Sequence, residues 1–234
     1  MGSGEGGAFN ERGGETMDCA EVVKCLKSQS NKKNVAGMKK SGICTKNLLG
    51  INIPVLRTLA KKLGTDHKLA QELWKTGIHE AKILASMIDD PTLVTEKQMD
   101  NWVKGFDSWD VCDQVCMNLF HKVECIYKKI FEWSKRKNEY EKRAAFTLMA
   151  VLAVHSVKFI DRDFEDFFLT IKKGAGDPRN YVKKAVNWAI RQIGKRNRKL
   201  NKSATKLAES ILRMELPTAQ WIAKDALKEL KKQY

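Results

Sequence analysis

From Asp18 onward the apolar positions recur every three to four residues, the spacing of helices that each bury one face. The pattern predicts helices over 19–27, 55–63, 67–76 and 79–88, the second opened by Pro54 as a first-turn proline. Thr95 with Gln98 forms a capping-box pattern ahead of a helix over 99–104. Further helices are expected over 106–120, 124–136, 140–154 and 163–172, then from Pro178 to a stop at Gly194, then over 199–213 and, after Pro217, 218–232. Nothing alternates at period two for long enough to demand a strand, so the class is all-α. Roughly a dozen helices joined by short loops imply antiparallel pairs stacked as a right-handed α-solenoid of HEAT type, with a compact bundle as the alternative. Such a solenoid has a concave inner surface, which suits a long ligand such as duplex DNA.

Two stretches depart from plain amphipathic patterning. In 106–120 (FDSWDVCDQVCMNLF), a turn of about 100° per residue puts Val111, Cys112, Val115, Cys116 and Leu119 on one arc. Trp109 lies at its edge and Asp113 just outside it on the same side, so an indole and a carboxylate share the border between core and solvent. Either Trp109 completes the core beside a solvated Asp113, or a site begins there.

In 177–200 (DPRNYVKKAVNWAIRQIGKRNRKL), the core arc is Val182, Ala185, Val186, Ala189, Ile190 and Ile193, and Trp188 projects away from it. Trp188 shares its face with Tyr181, Lys184, Arg191 and Lys195. An aromatic set among basic residues can pack on sugars or bases while its neighbours hold phosphates; its alternative is packing on an adjacent helix pair. From Lys172 to Lys206 there are twelve Lys or Arg and a single acid, Asp177. Arg143 enters an otherwise uncharged run at the N-terminal end of a helix, where the macrodipole disfavours a cation. Its compensating anion is either an Asp of the 106–120 stretch or a nucleic-acid phosphate.

Composition sharpens the choice of partner. The 234 residues carry a net charge of +15, which points to a polyanion, with nucleic acid the leading class, and 43% hydrophobic content supports a substantial core. No run approaches the roughly 18 apolar residues of a membrane span, and no signal-peptide pattern is present, so a soluble, cytoplasmic protein is expected. Residues 1–16, with six glycines, read as a flexible leader or cloning remnant, and 17–234 as a single domain. The six cysteines show no CxxC pair or partnered histidine spacing, Cys112 and Cys116 read as small core residues, and no metal or disulfide role is expected. His67 and His79 sit at helix starts, and no GxSxG, Walker, GxGxxG or HExxH motif occurs.

With these residues assembled, the chain resembles the AlkD-like DNA alkylation-repair family, HEAT-like-repeat DNA glycosylases that excise alkylated purines. The resemblance runs from about residue 35 to 234 and rests on LLGINIPVLR at 48–57, SWDVCD at 108–113, KRAAF at 142–146 and VKKAVNWAIR at 182–191. It implies that Trp109 and Asp113 stand for the family's WDxxD element, Arg143 for the arginine before its Ala-Ala pair, and Trp188 and Arg191 for its WxxR. On that footing Asp113 stabilises an oxocarbenium ion and orients water, while Trp109 and Trp188 pack on the deoxyribose. Arg143 and Arg191 hold phosphates, beside Lys184 and Lys195. The resemblance further implies duplex DNA with N3- or N7-alkylated purines as substrate, no cofactor and no deep base pocket; a monomer is the default expectation for a solenoid that cradles DNA. The chain departs from the family at Gly37, which precedes Met38-Lys39 where a tyrosine is usual, and in a longer segment up to Gly50. The competing readings are a nucleic-acid-binding solenoid without catalysis and a scaffold for protein partners.

Overall fold

The computed structural model describes residues 17–43 and 46–233, so the leader expected over 1–16 lies outside the described residues. Among those residues the regular structure is helical throughout, with no strand. The first half holds α1 (Cys19–Ser28), α2 (Lys32–Lys40), α3 (Ile53–Leu63), α4 (His67–Lys75), α5 (His79–Ile88), α6 (Glu96–Lys104) and α7 (Trp109–Asn118). The second holds α8 (Ile126–Trp133), α9 (Glu139–His155), α10 (Asp161–Asp166), α11 (Phe168–Gly174), α12 (Asn180–Arg196), α13 (Arg198–Leu212) and α14 (Pro217–Leu230).

Side-chain caps explain many of the starts. Asp18 and Glu21 form a reciprocal capping box, and Asn31, Asp66, Thr95, Asn138 and Asn197 accept first-turn N–H groups that have no intrahelical partner. Pro54 and Pro217 stand in the first turns of their helices, where a missing N–H costs nothing.

Several boundaries differ from those the sequence predicts. The capping box at Thr95 is only half made, because Gln98 Nε2 turns to Asp89 Oδ2 at 2.6 Å. The single helix expected over 163–172 is two, α10 and α11, meeting at the buried Phe167. The expected stop at Gly194 is instead an interior residue of α12, because a Cβ there would lie 2.3 Å from Leu230 Cδ2 and glycine lets α14 close in. Pro178 precedes the cap of α12 rather than opening it.

The helices stack in two files. In one, α5 packs on α7, α7 on α9, α9 on α12 and α12 on α14. In the other, α4, α8 and α13 back the file at α5, α9 and α14. The arrangement is the stacked-helix solenoid expected from the pattern. Its centre is α9, where every residue from Arg143 to Ala153 is buried, as befits a helix apolar nearly all round.

Candidate active site

The site grows from the seam between α7 and α9. Val111, Cys112, Val115, Cys116 and Leu119 are buried as their spacing predicts. Burying each large aliphatic side chain stabilises α7 by about 1.5–3 kcal/mol. With that face fixed, the adjoining arc turns Asp113 onto α9. Arg143 Nε donates to Asp113 Oδ1 at 2.9 Å and Nη2 to Oδ2 at 2.8 Å, a bidentate fork, while Nη1 donates to the Tyr181 carbonyl at 2.6 Å. Thr147 Oγ1 adds a bond to Asp113 Oδ1 at 3.1 Å.

The anion that compensates Arg143 is therefore Asp113, and Asp113 itself is buried rather than solvated. Arg143, expected among the phosphate-holding residues, has its guanidinium shared between Asp113 and the Tyr181 carbonyl. Burial acts to lower the pKa of Arg143, but the charge and hydrogen bonds of Asp113 outweigh it and hold the guanidinium above its ordinary value. The sulfurs of Cys112 and Cys116 donate weakly to the Tyr140 and Ala144 carbonyls at 3.7 and 3.9 Å, and burial pushes the Cys116 thiol well up. Both behave as small core groups.

Asp113 opens into a cavity of about 450 Å³ bounded on one side by Lys40, Ser41 and Gly42 and on the other by Trp109, Tyr181 and Lys184. The roof is anchored at two carbonyls. Trp109 Nε1 donates to Ser41 O at 3.1 Å and the Tyr181 hydroxyl to Gly42 O at 3.2 Å. Gly42 has φ +83°, and a Cβ there would fall 2.2 Å from the Tyr181 oxygen, so only glycine serves. Gly37, on the exposed helix α2, has open space where a side chain would begin.

Beyond the cavity, α12 carries the second group of expected residues. Trp188 is half-buried, stands clear of the α12 core arc and does not line the cavity; Lys184 is exposed and does. Arg191 and Lys195 both pair with Glu229 of α14, which nothing in the local sequence marks as their partner. Burial raises the Glu229 carboxyl, but hydrogen bonds from Lys195 and Arg191 outweigh it and leave the group below its ordinary range.

The basic tract divides by role. Arg196 caps the end of α9 by donating to the carbonyls of Ala153, Ser156 and Phe159 at 2.8–3.1 Å. Arg179 and Lys142 hold Asp177, whose carboxyl lies well below its usual range chiefly through the Arg179 hydrogen bond. Lys183 sits 4.6 Å over the Trp221 ring. Lys172, Lys173, Lys184, Arg198, Lys202 and Lys206 face solvent. His67 and His79 open α4 and α5 as expected and bind Asp89 and Asp110 at 2.6 and 2.8 Å. Among the described residues no group of three or more His, Cys, Asp or Glu is placed to hold a metal ion, and no helix is long and apolar enough to cross a membrane.

A family model described as DNA alkylation repair enzyme matches residues 22–230. Among solved structures, one described as a new family of proteins related to the HEAT-like repeat DNA glycosylases with affinity for branched DNA structures superposes with a TM-score of 0.75. That match covers 92% of this chain and 96% of the other at 19% identity, a likeness of fold. A designed armadillo repeat protein in complex with a (KR)4 peptide aligns over 90% of this chain and 92% of its own, at 13% identity and a TM-score of 0.45, too loosely to bear on function. No curated protein matches the sequence.

Proposed function

This chain belongs to the DNA alkylation repair enzyme family, and from that premise we propose that it is a monofunctional DNA glycosylase, acting as a single-domain monomer on positively charged N3- or N7-alkylated purines in duplex DNA. The observation that carries this reading is Asp113: a carboxylate locked by Arg143 and Thr147 at the edge of a cavity, beside an α12 face rich in lysine and arginine. Beyond its pairing with Arg143, a carboxylate at the edge of that cavity gives a protein that only binds phosphates nothing, since it repels a polyanion.

Alkylation puts a positive charge on the purine, so the C1′–N electron pair leaves with the base and neutralises it. Asp113 stabilises the oxocarbenium ion left behind and orients a water, whose oxygen bonds to C1′ while its proton passes to solvent by way of the carboxylate. Trp109 and Trp188 pack on the sugar and attract the cationic nucleotide through their ring faces, at about 1–2 kcal/mol each when desolvated. Arg191, Lys184 and Lys195 hold backbone phosphates, for which Arg191 and Lys195 exchange Glu229. Arg143, already bound to Asp113, acts by fixing that carboxylate.

The test is release of free base from methylated duplex DNA, resolving 3-methyladenine from 7-methylguanine. Release by the wild type, lost in Asp113→Asn and reduced in Trp188→Ala, supports the reading. Salt-sensitive binding of duplex with no release of either base points to the second reading, a noncatalytic DNA-binding solenoid. The affinity for branched DNA described for the neighbouring structure makes a branched duplex the probe to include for it.

A further inference from the structure

We infer that Thr147 is a positioning residue for Asp113, filling one carboxylate oxygen so that the other, Oδ2, is committed to the reacting sugar. The inference rests on the glycosylase reading above and adds which atom of Asp113 acts and what selects it.

A carboxylate offers about four lone-pair directions, two on each oxygen. On Asp113, Oδ1 accepts both Arg143 Nε and Thr147 Oγ1, which uses both of its directions; Oδ2 accepts only Arg143 Nη2, which leaves one. The open direction belongs to a side chain that lines the cavity, so the acceptor left for substrate or water is on Oδ2. Arg143 and Thr147 are one turn apart on α9, so a single helix face supplies all three donors.

The hydroxyl of Thr147 is fully buried and has one proton to give. A helical threonine often spends that proton on the carbonyl four residues back; here it goes to Asp113 instead. Removing the hydroxyl while keeping the shape leaves an Oδ1 lone pair unfilled inside the buried seam. The carboxylate can then rotate on the Arg143 fork and take its reacting oxygen out of line. A misplacement of that kind costs rate rather than affinity, because the phosphate contacts assigned to α12 are untouched.

The experiment compares excision of 7-methylguanine from duplex DNA by wild type, Thr147→Val, Thr147→Ser, Thr147→Ala and Asp113→Asn, with duplex affinity by fluorescence anisotropy and folding by thermal melting. Thr147→Val should lower kcat about tenfold to a hundredfold with KM and duplex affinity held within about twofold. Thr147→Ser, which keeps the donor, should recover to within about threefold of wild type; Thr147→Ala gives the same reading as Val if Val fails to fold. A folded Thr147→Val or Thr147→Ala with wild-type kcat, or a Ser variant as slow as Val, overturns the inference while leaving the glycosylase reading intact. Excision by Asp113→Asn overturns the role of Asp113 and this inference with it but leaves the glycosylase reading standing, whereas no excision by the folded wild type overturns that reading and the inference together.

Discussion

The α7–α9 seam and the α12–α14 face contain the same chemical unit, a carboxylate set against cationic side chains, and put it to opposite uses. In the seam, the side chains of Asp113 and Arg143 are 12% and 7% exposed. On the face, Glu229, Arg191 and Lys195 are 28–32% exposed. Burial makes the first unit unforgiving, since either partner alone is an uncompensated charge in a core. Exposure makes the second exchangeable, since water and salt replace either partner at small cost. On the proposed glycosylase reading, the first unit holds one atom still and the second lets a long polyanion come and go.

The sharpest way to break this comparison is Arg143→Leu, which strands Asp113 in the seam. Thermal or urea unfolding should show a loss of about 3–5 kcal/mol, and a loss under 1 kcal/mol would mean that the seam is as forgiving as the face. Next is Asp113→Asn, which should lower the excision rate by about a hundredfold or more while duplex binding is unchanged or tighter, because a negative charge near phosphates is gone.

How much of this contrast was legible in the sequence depends on how local its causes are. The arcs of α7 and α12 could be read because apolar residues recur at helical spacing and every one of them is buried. The fork between Asp113 and Arg143 could be read only by halves: each residue stood out on its own helix, but choosing Asp113 over a phosphate as the anion required the packing of two helices 30 residues apart. Thr147 looks like any threonine in an apolar run, and Glu229 in KELKK looks like a solvated partner for neighbouring lysines, although its partners lie on α12. Helix α2, KKNVAGMKK, buries no residue and so leaves no periodic trace; its start depends on the Asn31 cap and on Asn31 N–H reaching the Leu49 carbonyl at 2.7 Å. Gly194 reads as a stop only until Leu230 is seen to occupy the space beside it.

Smaller effects sharpen the comparison from the side of the face. Trp188→Ala should cost about 1–2 kcal/mol in transition-state stabilisation, read as kcat/KM on methylated duplex. Replacing Lys184, Arg191 or Lys195 singly by Gln should each reduce the slope of log affinity against log salt by about one, whereas Arg143→Lys should leave the slope unchanged. The smallest effect is that of Glu229→Gln on stability, within about 1 kcal/mol near neutral pH because the group is partly exposed and its ion pairs are screened by solvent. The Glu229 carboxyl lies below its ordinary value when folded, so its contribution is complete above pH 4.5 and fades as pH falls through the folded value. Melting curves of wild type and Glu229→Gln should therefore converge in acid.

Tyr181 gives the site a timetable. Through its carbonyl it holds Arg143, 38 residues earlier, and through its hydroxyl it holds Gly42, 139 residues earlier. A chain emerging from the ribosome makes α7 long before it makes either contact, and Asp113 waits for α9 to supply Arg143 and for α12 to tie that arginine down. The carboxylate is caged and roofed only once Tyr181 has emerged, and Lys184, Arg191 and Lys195, proposed to hold phosphates, follow it on the same helix, so an unfinished chain has neither a formed centre nor the side chains proposed to bring DNA to it.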